Sequence, residues 1–226
     1  MGASFNHDYY DERFNPLGPL PKAESKVSKE TTPGLYAQYT YKLGDKLTVM
    51  PGVRWDHSDR YGSFVTPRLH IKYSPSKIVT LRTSIGKGYR SPHALAENVT
   101  LLASGREIVI DPDLKQEEAW NMGASLGFNI PLFGKNLELN AEYYYTDFKH
   151  QMIMNFDGAK GEHTLSFENL DGKSYSHTFQ VDATYALFSG MTTTAAFRLN
   201  DVKCTYDGVL RQKPLTSRYK GLLTLS

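Results

Sequence analysis

From Gly34 onward, apolar and polar residues alternate in segment after segment, and a sustained period of two admits few folds. In "GLYAQYTYKL", Leu35, Ala37, Tyr39, Tyr41 and Leu43 fall on one face and Tyr36, Gln38, Thr40 and Lys42 on the other, because successive side chains of a strand point to opposite sides. The rule continues with Leu47 to Trp55 against Thr48 to Asp56, then Val65 to Tyr73 against Thr66 to Ser74, then Val79 to Ile85 against Thr80 to Gly86. It resumes at Trp120 to Ile130, Leu137 to Tyr145 and Phe179 to Leu187, and weaker versions cover Thr192 to Tyr206 and Leu215 to Ser226. About nine strands are thus predicted, with no competing segment of helical period.

The connections carry a second regularity. Tight links at Gly44 to Lys46, Pro75 to Lys77, Leu132 to Asn136 and Phe188 to Gly190 alternate with longer loops at Ser58 to Ser63, Tyr89 to Lys115, Phe156 to His163 and Asp207 to Lys213. In an up-and-down meander this gathers the short turns at one end and the long loops at the other, as in outer-membrane barrels. Residues 1–32 are polar, carry Pro16, Pro19 and Pro21, and read as an extracellular loop or a ragged start. Residues 33–226 read as the strand domain.

The polar face holds Arg54, Arg68, His70, Lys72, Arg82, Glu138, Glu142 and Asp182 among Gly, Ser and Thr, whereas the other face is nearly uncharged. Strands of about ten residues match the tilted span of a bilayer. Tyr41, Trp55, Tyr73, Trp120, Phe128, Phe133 and Tyr185 lie near strand ends, where interfacial girdles sit. A soluble antiparallel sandwich also alternates, so a soluble binding module and a passive porin-like barrel stay open on pattern alone. No run of 18 apolar residues is present, and residues 1–34 lack the charged start and apolar run of a signal peptide. A net charge of +2 without a basic stripe speaks against nucleic acid as a partner. The single cysteine, Cys204, excludes an internal disulfide and a cysteine-built metal site. The tail "YKGLLTLS" stops within a strand pattern, and bacterial single-chain barrels have even strand counts, so an internal segment of a larger barrel is expected.

The stretch "IGKGYRSPHALAEN", Ile85 to Asn98, begins as a strand and breaks at Pro92 into what reads as one helical turn. Its glycines lack the spacing of a phosphate loop, and Ser91 stands where a dinucleotide fingerprint needs its third glycine. They read instead as lumen-face positions where a bulky side chain would obstruct a neighbour. His93 and Glu97 are four apart, and Asp56, His57 and Asp59 cluster in one loop, but neither group supplies a three-ligand constellation from sequence. No nucleophile elbow accompanies the serines and histidines, so no enzyme activity, cofactor or metal is expected.

Taken in order, "GKGYRSPHALAEN", "DPDLKQEEAWNMGASL", "LNAEYYYTDFKHQM" and "FENLDGKSYSHTFQVDATY" resemble the barrels of TonB-dependent outer-membrane receptors, with wording similar to those of the Bacteroides group. The resemblance runs from about Gly34 to the C-terminus. It implies a 22-stranded barrel with an N-terminal plug, placed in the bacterial outer membrane among its lipids. It further implies import of a scarce nutrient, a ferric siderophore, cobalamin or glycan, driven by the TonB complex acting on the plug. The plug, the TonB-contact segment and the final aromatic-ended strand have no counterpart in these residues. On this resemblance Arg90 to Lys115 is an extracellular loop, and Arg90, His93, Glu97, Asn98 and Arg106 are its candidate ligand-binding residues.

Overall fold

The computed structural model describes residues 1–14, 24–102, 105–156, 163–188, 190–206 and 208–226. Its strands are β1 (Gly2–Phe14), β2 (Glu24–Gln38), β3 (Tyr41–Leu43), β4 (Leu47–Ser58), β5 (Gly62–Tyr73), β6 (Val79–Arg90), β7 (Glu107–Ile110), β8 (Glu117–Leu132), β9 (Lys135–Lys149), β10 (Met152–Phe156), β11 (Thr164–Asn169), β12 (Ser174–Phe188), β13 (Met191–Tyr206), β14 (Val209–Gln212) and β15 (Tyr219–Leu225). Twelve of them form one antiparallel sheet in the order β1-β2-β4-β5-β6-β8-β9-β12-β13-β14, with β3 beside β4 and β15 beside β13. β7, β10 and β11 form a separate three-stranded sheet, and a single helical turn, α1 (Val99–Leu102), follows a 3-10 turn at Ala96–Asn98.

Every alternating segment is a strand of the large sheet, and its register keeps the two faces apart. On one face, partners across neighbouring strands run Leu81, Leu126, Ala141, Val181, Phe197, and in the next row Val79, Phe128, Leu139, Ala183, Ala195, Leu223. On the other they run Lys72, Arg82, Ser125, Glu142, Gln180, Arg198, Lys220. A sandwich would place a second sheet on the apolar face. Leu35, Val53, Val65 and Leu81 are instead exposed there, as lipid-facing positions are.

Each connection follows its local chemistry. β8 and β9 are joined by Phe133 and Gly134, both at positive φ (49° and 76°), the twist that suits a two-residue hairpin. The strand expected over Leu35 to Leu43 is split into β2 and β3 at Tyr39 and Thr40. The gap lies opposite Pro51, which accepts the Tyr39 amide at 3.0 Å but has no N–H to return.

The N-terminal expectation needs correction. Residues 2–14 and 24–38 are not irregular chain but a hairpin paired without interruption from Gly2–Tyr36 to Phe14–Glu24. Only Gly34 to Gln38 of β2 pair with β4, so the hairpin extends past the barrel wall at the long-loop end. There one face carries Phe5, Tyr9 and Val27 only sparsely among His7, Asp11, Lys29 and Thr31, too broken an apolar stripe to mark a strand. Pro16, Pro19 and Pro21, the core of the Phe156 to His163 loop and the centre of the Phe188 to Gly190 link lie outside the described residues. The Asp207 to Lys213 loop contains β14, which continues the pairing of β13, and the last strand begins at Tyr219 instead of Leu215.

Candidate functional site: the long-loop rim

The long-loop end of the wall is held by a built-up polar and apolar structure. After Arg90 the chain passes Pro92, makes its helical turn and lays down β7. After Lys149 it makes β10 and β11. β11 pairs antiparallel with β10 and parallel with β7, Thr164–Glu107 through Phe167–Ile110, so strands from two different loops share one sheet. Its core is Leu165 and Phe167, both fully buried, with Ala94, Ile108, Ile110 and Met152 packed around them. Asn169 completes the seam, its carboxamide oxygen accepting the Lys115 amide and its NH2 donating to the Asp113 carbonyl, each at 2.8 Å.

Glu117, at the first position of β8 and buried, is the electrostatic centre of this rim. One carboxylate oxygen accepts from Arg90 Nε at 2.6 Å and lies 2.5 Å from its Nη2, and the other accepts the Met152 amide at 2.7 Å. Arg90 also pairs with Glu97 at 3.0 Å. Burial alone would lower the Arg90 pKa, but the Glu117 and Glu97 carboxylates outweigh it and hold the guanidinium above its ordinary value.

A second cluster pins the N-terminal hairpin to the rim. Glu30, buried on β2, accepts from Ser58 Oγ at 2.7 Å and Ser91 Oγ at 3.0 Å, joining three separate segments. Ser58 Oγ in turn accepts the amides of Arg60 and Tyr61, each at 3.2 Å, which closes the β4–β5 turn. Asp59 exchanges hydrogen bonds with Thr31, and Arg60 Nη1 donates to Ser28 Oγ at 3.0 Å. Below this seam a polar recess of about 280 Å³ opens between Asn6, Asp8, Glu30, Arg54, Tyr89 and Ser91. Arg54 is oriented there by the fully buried Asp56 and by Ser4 Oγ at 2.6 Å. Gly34 stands against the Asp56 carboxylate, where a β-carbon would collide with it.

The five residues singled out from sequence separate into two kinds. Arg90 and Glu97 form one ion-paired unit with Glu117, and Asn98 Nδ2 donates to the Ala94 carbonyl at 2.9 Å, so all three shape the loop. His93 lies against the Tyr10 ring with centroids 4.2 Å apart, and the Arg106 guanidinium sits 5.6 Å over the Phe156 ring. Glu30, Asp56, Tyr89 and Ser91 were not singled out as ligand-contact residues. Their sequence signal is modest: Ser28, Glu30 and Thr32 share one strand parity, as do Arg54 and Asp56. The glycine reading also shifts. A β-carbon at Gly86 would make ordinary contact with Arg68 and Gly88 faces open space, whereas Gly123, under the Tyr144 ring, and Gly34, against Asp56, are crowded lumen positions. Among the described residues, no group of three or more His, Cys, Asp or Glu could hold a metal ion.

A wall with one apolar face, one charged face and fastened loops at a single end has the build of a membrane β-barrel. The family model for "TonB dependent receptor-like, beta-barrel" matches residues 1–222, and the chain belongs to that family. Its place is the bacterial outer membrane. By sequence it is 25% identical over 114 residues to the iron-regulated outer membrane virulence protein of Vibrio cholerae, covering 50% of this chain and 17% of that protein. It is 29% identical over 89 residues to the ferric enterobactin receptor of Pseudomonas aeruginosa, covering 39% of this chain and 12% of that receptor. The aligned parts therefore span less than a fifth of those relatives. By fold it is similar to the siderophore receptor PirA of Pseudomonas aeruginosa, with a TM-score of 0.66, 15% identity, and 89% of this chain and 39% of that one covered. It is also similar to the FrpB iron transporter of Neisseria meningitidis, with a TM-score of 0.60, 19% identity, and 79% and 27% covered.

Proposed function

We propose that this chain is an internal wall segment of a receptor that imports a scarce nutrient across the outer membrane under the drive of the TonB complex. Membership of the TonB-dependent family carries the reading. Of the three nutrient classes, ferric siderophore comes first, because relatives in both comparisons are named for ferric enterobactin, a siderophore or iron. Cobalamin and glycan follow. The plug and the TonB-contact segment belong to parts of the receptor outside these residues, and the Bacteroides-group wording of the motifs points to the lineage. Residues 1–32 then serve as an extracellular hairpin above the wall, and 33–226 as part of a 22-stranded barrel. The charged lumen face, basic on β4 to β6 and acidic on β9 and β12, supports a polar filling of the lumen.

The work of this segment is capture and passage, not catalysis. We assign ligand contact at the mouth to His93 and Arg106, which offer planar faces beside aromatic rings, with Arg90, Glu97 and Asn98 setting the loop that presents them. The test is uptake of radiolabelled iron by cells that carry the complete receptor as their only siderophore route. Saturable uptake of a ferric siderophore that disappears when TonB is deleted is expected. Entry that persists without TonB, together with ligand-independent conductance in planar bilayers, would replace the reading with a passive porin.

A further inference from the structure

The lumen face of the wall carries charges that nothing in the described chain answers. Arg68, His70 and Lys72 alternate along β5, so all three project from one face at intervals of about 7 Å. Arg82 on β6 is the direct partner of Lys72, and Ser84 is the direct partner of His70. Arg68, His70, Lys72 and Arg82 are all exposed, and among the described residues none of their side chains has a hydrogen-bond or ion-pair partner. Like charges directly opposite each other weaken a sheet, so Lys72 beside Arg82 carries a cost. The nearest acid along that row is Glu142, two strands beyond Arg82 with Ser125 between them. By contrast, Arg54, Lys87, Arg90, Lys149 and Lys203 each have a carboxylate partner.

A recess of about 600 Å³ lies over this column, within the range of about 300 to 1,000 Å³ typical of small-ligand sites. His70, Lys72, Arg82, Glu142 and Tyr144 line it above a floor of small residues. Ser84 pairs with Gly123, Ser125 pairs with Arg82, and the Tyr144 ring lies over Gly123 with no room for a β-carbon. Arg68, one row nearer the long loops, is flanked on both sides by glycine, Gly52 on β4 and Gly86 on β6. No directly paired side chain fixes its guanidinium. Arg54 is the opposite case, clamped by Asp56 and Ser4.

We propose that this column is a transit site for a multiply charged anion, below the mouth and apart from the loop residues that meet the ligand first. Charge selects the occupant. The lining supplies one carboxylate, Glu142, against Lys72, Arg82 and the neighbouring Arg68. An anion with several negative oxygens, such as a ferric complex of deprotonated catechols, brings the missing counter-charge. A moving anion also fits better than a fixed protein surface, because Arg68 is free to follow it from the mouth down to Lys72 and Arg82. That this anion is cargo rests on the import function proposed above.

The test is thiol modification of the complete receptor in mild detergent, with any cysteine outside these residues replaced by alanine. Cys204 is buried, so Ser84→Cys supplies the reactive thiol, directly opposite His70 and between the rows of Arg68 and Arg82. A sulfonate-bearing methanethiosulfonate is expected to react about tenfold or more faster than its trimethylammonium counterpart. Arg68→Gln with Arg82→Gln is expected to bring the two rates together. Equal rates without those substitutions, a preference that survives them, or a thiol closed to both reagents because protein fills the recess would each overturn the site. Heat-modifiable gel migration reports folding, and if Ser84→Cys does not fold, Thr48→Cys, opposite Lys72, carries the same test. In cells, the double substitution should lower TonB-dependent uptake of radiolabelled iron, supplied as its tris-catecholate, several-fold while surface binding persists. Unchanged uptake would overturn the transit role. Loss of TonB dependence in the unsubstituted receptor would instead strike the import function, and the labelling preference would still mark an anion site.

Discussion

Glu117 shows how single side chains set the rim. Its two oxygens serve different segments, Arg90 on one side and the Met152 amide on the other. Glu117→Ala should therefore loosen both loops together, by about 2 kcal/mol, because a buried amide loses its acceptor while the half-exposed Arg90 is rehydrated cheaply. Glu117→Gln keeps an acceptor for Met152 and should cost about half as much. Hydrogen exchange at the Met152 amide reads this order directly, and equal exchange in the two variants would contradict it. Tyr61 provides an opposite case. Its hydroxyl is buried without a hydrogen-bond partner, and burial pushes its pKa up, with Arg60 pulling it down and Glu30 adding to the rise. The folded chain thus holds the phenolic proton more tightly than the unfolded one. That contribution is fully present below the ordinary value of about 10 and is lost as pH rises through the raised one. Tyr61→Phe removes an unpaired hydroxyl, so stability should stay level or rise by up to about 1 kcal/mol. A tyrosinate absorbance titration of wild type against this variant checks both statements. Sequence displayed Arg90 and Glu97 through their motif but gave no sign of Glu117's role, because its burial depends on β10 folding over it.

At the scale of elements, the wall and the rim follow different physics. Wall strands alternate because lipid covers one face and the lumen the other, so each was readable in isolation. β7, β10 and β11 run only four to six residues, too short to show a period, and β7 finds its partner β11 across the whole β8–β9 hairpin, a non-local pairing that leaves no local signal. β1 was hidden for a related reason: above the bilayer it need not present an apolar face. The rim sheet should behave as a unit separable from the wall. Phe167→Ala opens its core and should cost about 3 to 5 kcal/mol of local stability. Proteolysis within residues 91–116 and 150–173 should then rise together, while the detergent-resistant, heat-modifiable wall persists. Cleavage confined to one of the two segments would mean that the parallel β7–β11 seam does not couple them.

The whole molecule has little interior of its own. Among the described residues, the fully buried large apolar side chains are Leu165 and Phe167, both in the rim sheet, and the wall's apolar face carries Leu35, Val53, Leu223 and Leu225 more than 45% exposed. Its stability must therefore come from what covers that face. The sheet as described is open, with β1 at one edge and β14 and β15 at the other, so unpaired backbone groups add to the exposed apolar rows. In water such edges and rows are satisfied by other copies of the same chain. In micelles the rows are covered, and strand pairing within the chain becomes the better alternative. These 226 residues alone, diluted from urea into buffer, should sediment as strand-rich aggregates. Diluted into detergent above its critical micelle concentration, they should remain dispersed with a similar strand content by circular dichroism. A monomer that melts cooperatively in detergent-free buffer would mean that the apolar face is covered from within the chain, and the membrane placement of every row assigned to lipid would fall with it.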